Sequence, residues 1–174
     1  MSVFEKYRPD NPVNKVKMTA AFAFAKPAHV LASFFGSGLI RPAPGTWGTL
    51  AGWIVFVLLQ PFVAYEIWFV LIAALFLAGA WASEVTSRDL GVPDHGSIVV
   101  DEVFAIWLLL ALMPASLAWQ IAAFVTFRFF DIVKCPPADY FDKKMKNGFG
   151  IMFDDAIAAG YAWVVLMLAQ WLIG

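Results

Sequence analysis

The chain has 174 residues, 61% of them hydrophobic and only 14% charged, with a mean hydropathy of +0.74. Soluble domains run near half apolar and about a quarter charged, so this composition excludes an ordinary soluble globule and points to a membrane protein. A net charge of −1 argues against general affinity for nucleic acid, and the single Cys135 excludes both an intramolecular disulfide and a cysteine metal cluster.

In chain order, the first element is a basic lead-in over residues 1–26. Lys15 and Lys17 precede an apolar run at 18–25, which is short for a signal-peptide core and is interrupted by Lys26-Pro27. The segment reads as a surface-lying amphipathic stretch, and residues 27–174 as one membrane-embedded domain. Four uncharged stretches follow, at 42–65, 67–83, 103–127 and 156–174. A spanning helix needs about 20 apolar residues, so the first, second and last each fit one helix. The third contains Met113-Pro114-Ala115-Ser116 at its middle. Proline costs a helix interior about 3 kcal/mol, which predicts a hairpin of two helices over 98–113 and 116–134; a single kinked span is the alternative. The expected fold is therefore all-α, a polytopic bundle of about five membrane helices.

Under that reading the Lys and Arg residues gather at one end. They fall in the N-terminal region, in the loop before Asp101, and at the end of helix four or in the loop after it. The connectors at the other end, 60–66 and 114–116, carry neither. The positive-inside rule makes the charged end cytoplasmic.

Four charged or glycine-rich segments abut these helices. Gly36-Ser37-Gly38-Leu39 and Pro42-Ala43-Pro44-Gly45-Thr46-Trp47-Gly48-Thr49 lead into helix one. Glycines admit an anion close to backbone N–H groups, which makes Gly45 and Thr46 candidate phosphate binders. An ordinary turn capped by Thr46 or Thr49 is the other reading. Asp94-His95-Gly96-Ser97-Ile98-Val99-Val100-Asp101-Glu102 opens helix three. Its acidic pair serves either a metal or the helix dipole, and His95 either supports the loop or contacts substrate. Arg128, Asp131 and Lys134 share a helical face, as an internal ion-pair ladder or as a fork and a point charge for phosphate. Gly148 to Asp155 precedes helix five, where one aspartate is explained as an N-cap and the second is not.

Together, Asp101, Glu102, Asp131, Asp154 and Asp155 lie at same-side helix ends. Carboxylates converging at a membrane boundary repel unless a cation joins them, and an all-oxygen donor set favours Mg²⁺, with Mn²⁺ or Ca²⁺ as variants. Arg128, Lys134 and the glycine-rich loop add groups for an anion. Metal and phosphate binders at a bilayer surface point to a phosphorylated lipid.

From about residue 27 to 160, these segments in this order resemble the bacterial phosphatidylglycerophosphatase A family. The carrying motifs are Gly36-Ser37-Gly38-Leu39, Ala43 to Thr49, Asp94 to Glu102, Phe127-Arg128-Phe129-Phe130-Asp131 with Lys134, and Gly148 to Asp155. The resemblance implies a Mg²⁺-dependent multi-pass enzyme of the bacterial inner membrane. Such an enzyme removes the terminal phosphate of phosphatidylglycerophosphate on the cytoplasmic side to give phosphatidylglycerol. Two positions depart from the family pattern. Cys135 breaks a usual Lys-Pro-x-Pro, which puts that loop's geometry in doubt, and Thr49 stands where serine is usual. The chain lacks Asp-x-Asp-x-Thr, Cys-x5-Arg and the Lys-x6-Arg-Pro signature of histidine-nucleophile phosphatases. Elimination leaves attack by a metal-activated water, with Arg128 stabilising charge and Asp101 or Asp154 as base. A covalent aspartyl-phosphate stays open. The alternatives are a phosphatase or phosphotransferase on another lipid or polyprenyl phosphate, and a small cation transporter.

Overall fold

The structure is a computed structural model and describes residues 15–136 and 145–173; residues 1–14, 137–144 and 174 lie outside the described residues. Every regular element among the described residues is helical. Two short helices come first, α1 (Ala20–Ala23) and α2 (Pro27–Ala32). Five longer ones follow: α3 (Pro44–Leu59), α4 (Tyr65–Leu90), α5 (Val100–Leu112), α6 (Leu117–Val133) and α7 (Gly148–Ile173).

Local chemistry accounts for most boundaries. Thr19 caps α1 through its hydroxyl, which accepts from the Phe22 N–H at 3.2 Å. Pro27 and Pro44 stand at the first positions of α2 and α3, where a missing N–H costs nothing. Gly91, in the left-handed region at φ 70°, closes α4. Ser116 accepts from the Trp119 N–H and starts α6.

The stretch 103–127 is a hairpin, as its central proline predicts: α5 stops at Leu112 and α6 starts at Leu117. Two other boundaries differ from expectation. Helix α4 runs on to Leu90 rather than stopping near Ser83, and α7 begins at Gly148 rather than Ala156. Charge at Glu84, Asp154 and Asp155 interrupts the apolar run without interrupting the backbone hydrogen-bond ladder.

Three helical segments are long and apolar enough to cross a membrane, at Pro44–Phe62, Tyr65–Leu90 and Gly148–Ile173. The expected count of about five spans goes further than this: among the described residues, three helices meet that length and apolarity. At 1.5 Å per residue, the 13-residue α5 covers only about 20 Å. It is instead the buried centre of the bundle, enclosed by α3, α4, α6 and α7, with Val103, Ala105, Ile106 and Leu109 fully covered. Gly48 and Gly52, one turn apart on α3, let the two backbones close. A β-carbon at Gly48 would sit 2.5 Å from that of Val99, and Gly52 offers its carbonyl to the Trp107 indole N–H at 2.8 Å. Across the bundle, a β-carbon at Gly148 would overlap the Ala80 carbonyl oxygen, so α7 and α4 are in backbone contact.

The described part of the lead-in docks onto the protein. Met18, Ala23, Ala28 and Ala32 are core residues. His29 stacks on Phe22, donates from Nδ1 to the Phe22 carbonyl at 2.9 Å, and meets the Asp89 carboxylate at 2.8 Å; Lys26 reaches the same carboxylate at 2.7 Å. These contacts tie α2 to the last turn of α4.

Candidate active site

Helices α3, α5 and α7 begin, and α4 and α6 end, at the same side of the bundle. That alternation gathers residues far apart in sequence. Asp101 and Glu102 lie in the first turn of α5. Arg128 and Asp131 lie in the last turns of α6, and Asp154 and Asp155 about two turns into α7.

The five acids separate into two groups. Asp101, Glu102 and Asp155 each offer a carboxylate oxygen to a cluster in which all three atoms lie within 4.8 Å of one another. Asp101 and Asp155 are 8% and 2% exposed, and Oδ1 of the first and Oδ2 of the second have no hydrogen-bond partner among the described residues. Two buried carboxylates with unsatisfied oxygens, facing a third, form a donor set suited to a hard divalent cation. Asp131 and Asp154 are engaged differently. Asp131 takes the Arg128 guanidinium at 2.6 Å, and Asp154 takes the Lys134 ammonium, which also lies 3.8 Å from Asp131. Of the five acids expected from sequence, Asp101, Glu102 and Asp155 cluster closely enough to share a cation, while Asp131 and Asp154 beside them are paired with Arg128 and Lys134.

Arg128 links the groups, since the nitrogen that meets Asp131 also lies 3.5 Å from Glu102 Oε1. Lys134 keeps the expected i,i+3 relation to Asp131, 3.8 Å away, and also reaches Asp154 of α7. It follows α6 in the left-handed region (φ 47°), which turns its side chain across to α7.

Gly45 belongs to this cluster. A β-carbon there would overlap Glu102 Oε1 and lie 3.0 Å from both terminal nitrogens of Arg128, so only glycine lets α3 approach so closely. Neither Thr46 nor Thr49 caps α3. Ala43 stands at the cap without a side-chain bond, and the Thr49 hydroxyl donates back to the Gly45 carbonyl at 2.7 Å. The N-terminus of α3 thus keeps its dipole uncapped beside Arg128. Thr46 is half-buried in that first turn.

Of the two readings of His95, its contacts are those of a loop support. Its ring is 2% exposed and both nitrogens are occupied by backbone: Nδ1 accepts the Ser97 N–H at 3.1 Å, and Nε2 donates to the Val16 carbonyl at 3.0 Å. Accepting at Nδ1 requires the neutral ring, and burial pushes the imidazole pKa below its usual value. His95 clips the lead-in to the loop before Asp101.

Sequence reasoning missed the groups that position α7. The Gly148 N–H donates to Glu84 of α4 at 2.8 Å, and the Gly150 N–H to the Asn147 side chain at 2.8 Å. With the helix start satisfied by these, N-capping does not account for Asp154 or Asp155. The one available signal was an isolated glutamate at the end of an apolar run.

Comparison with known proteins agrees with the geometry. The family model for phosphatidylglycerophosphatase A matches residues 30–170. The chain belongs to this family. It is 48% identical over 164 residues to the phosphatidylglycerophosphatase A of Haemophilus influenzae, covering 93% of this chain and 96% of that one. It is 37% identical to the Escherichia coli protein of the same name, over 84% of this chain and 86% of the relative. A third relative, from Bacteroides thetaiotaomicron, carries the provisional name phosphatidylinositol-3-phosphatase and is 38% identical over 80% of this chain and 91% of its own length. No solved structure matches the chain.

Proposed function

We propose that this protein hydrolyses the terminal phosphate of phosphatidylglycerophosphate, releasing phosphatidylglycerol and phosphate, with Mg²⁺ held by Asp101, Glu102 and Asp155. The observation that carries the reading is the placing of three clustered acids beside Arg128 and Lys134, at one end of membrane-length helices, in a chain of this family. When bound, the cation supplies Lewis acidity toward a phosphoryl oxygen and lowers the pKa of a coordinated water.

The chain's own groups supply the rest. Arg128 presents a planar fork beside the acids and stabilises negative charge that develops on the phosphoryl oxygens. Lys134 adds a point charge, and the uncapped start of α3 at Gly45 and Thr46 directs backbone N–H groups and a positive dipole end toward the same place. Asp154 is already engaged by the Lys134 ammonium. Asp101, whose carboxylate faces the same cluster as Glu102 and Asp155, is the acid we assign to take the proton of the attacking water.

The protein sits in the bacterial inner membrane with the site on the cytoplasmic face. What supports this is the gathering of cationic residues at the site end and their absence from the connectors at 60–64 and 113–116.

The test is phosphate release by purified protein from phosphatidylglycerophosphate, phosphatidylinositol 3-phosphate and a polyprenyl phosphate, each with Mg²⁺ and with excess chelator. Preference for the first with loss in chelator is expected. Full activity in chelator removes the metal role, and preference for either other lipid replaces the substrate.

A further inference from the structure

Between α2 and α3 the chain forms a strap, residues 33–43, whose backbone is unusual. Phe34 and Phe35 both adopt positive φ, at 42° and 55°, followed by Gly36 at 84°. Bulky residues rarely populate this region, so consecutive ones persist only where the surroundings enforce them. Here they do. The Phe34 N–H donates to Leu31, Phe35 to Val30 and Gly38 to Ser33, while the Ser33 hydroxyl accepts from Gly36 at 3.3 Å. The two rings meet edge-on with centroids 5.5 Å apart, Phe34 6% exposed in the core and Phe35 69% exposed outside it.

Phe35 has apolar company. Phe24 lies against Gly36 and is 57% exposed, and Ile40 and Trp47 are exposed farther along the strap and its entry into α3. The Trp47 indole N–H is satisfied by the Pro42 carbonyl at 3.0 Å, which leaves its ring face outward. Exposed cations Lys15, Lys17 and Arg41 stand on the neighbouring segments. The strap also borders the site: Arg41 donates to the Ser97 hydroxyl at 3.1 Å, and a β-carbon at Gly38 would overlap the Ser97 carbonyl, four residues before Asp101.

We propose that this strap is a lipid-facing lip of the site, seated at the headgroup–acyl boundary of the site-side leaflet with Phe35 as its anchor and the nearby cations drawn to anionic headgroups. Continuity with α3, which is long and apolar enough to cross a membrane from Pro44 on, argues for that depth. Aromatic rings on an apolar body with cations beside them are the combination the interface favours. The lip would guide a lipid from the bilayer to the acids; that guiding role rests on the proposed phosphatase reading, and the depth does not.

Two measurements test it. A nitroxide on Phe35→Cys, in a Cys135→Ser background, is placed in nanodiscs of phosphatidylethanolamine and phosphatidylglycerol. Its accessibility to oxygen and to a water-soluble nickel chelate is read against a label on Leu58→Cys, on the lipid-facing side of α3. Oxygen dominating at position 35 is expected. Nickel dominating, as for a loop in water or one covered by a soluble partner, overturns the proposal whether or not the protein is a phosphatase. The second arm uses Phe35→Asn, since asparagine tolerates positive φ. KM for long-chain substrate in bilayers rises about fivefold, as loss of a partly buried ring implies, while kcat and turnover of a short-chain soluble substrate hold. Phe35→Trp restores KM, and Phe24→Ala repeats the rise if the asparagine variant does not fold. An unchanged long-chain KM in both overturns the guiding role. A chain inactive on every substrate removes the phosphatase reading and leaves the depth measurement to decide the lip.

Discussion

Oδ1 of Asp101 and Oδ2 of Asp155 are buried beside a third carboxylate without a hydrogen-bond donor, so each carries a desolvation cost in the protein alone. Asp155→Asn removes one like charge at nearly constant size. In chelator its Tm in detergent should rise by about 2–4 °C, the shift that about 1 kcal/mol gives in a chain of this size. In Mg²⁺ its turnover should fall by about a hundredfold or more. Near-normal turnover would remove Asp155 from the site. His95 gives a second prediction. Its folded pKa lies below its unfolded value, so the unfolded chain binds the extra proton as pH falls. Stability should be fully present above about pH 6.5 and decline as pH drops through the folded pKa; His95→Gln should flatten that decline in thermal melts at pH 5 and pH 7. The charged site residues were legible because charge is costly in an apolar run and demands a reason. The role of His95 was not, because it depends on Val16, 79 positions away, and on which nitrogen faces which backbone group.

At the scale of elements, the α5–α6 hairpin was readable from Pro114, whose effect on the backbone is local and strong. The early start of α7 was not, since what permits it is the Glu84 carboxylate of another helix. Nor does sequence distinguish a lipid-facing apolar helix from a protein-covered one, which hid the central place of α5. The contact between α4 and α7 supplies a test. Gly148→Ala would press a methyl group on the Ala80 carbonyl, and overpacking of this kind costs about 1–3 kcal/mol. The variant's Tm should fall by several degrees. Gly160→Ala, with nothing within 4 Å, should leave it unchanged or slightly higher. Equal behaviour of the two would show that the helices do not depend on this approach.

For the molecule as a whole, alternation of the helices places residues 90 and 146 at the site end and residue 64 at the other. Membrane-impermeant thiol labelling of Leu90→Cys, Lys146→Cys and Ala64→Cys, in a Cys135→Ser background, should modify the first two from the cytoplasm and the third from outside. Labelling of 90 and 146 from opposite sides would separate α4 from α7 and dissolve the site.

The pairing of Asp131 with Arg128 and of Asp154 with Lys134 reaches beyond local geometry. The five carboxylates Asp101, Glu102, Asp131, Asp154 and Asp155 outnumber the cations Arg128 and Lys134 that lie among them, which gives a net negative field where, on the proposed function, an anionic headgroup must arrive. The site in that state repels its own substrate. On the proposed function, the expected order of binding is the divalent ion first and the lipid second, which would make the ion an admission requirement as well as a chemical one. Titration of lipid into the protein in chelator should give little or no binding, and the apparent lipid affinity should climb with Mg²⁺ until the ion saturates.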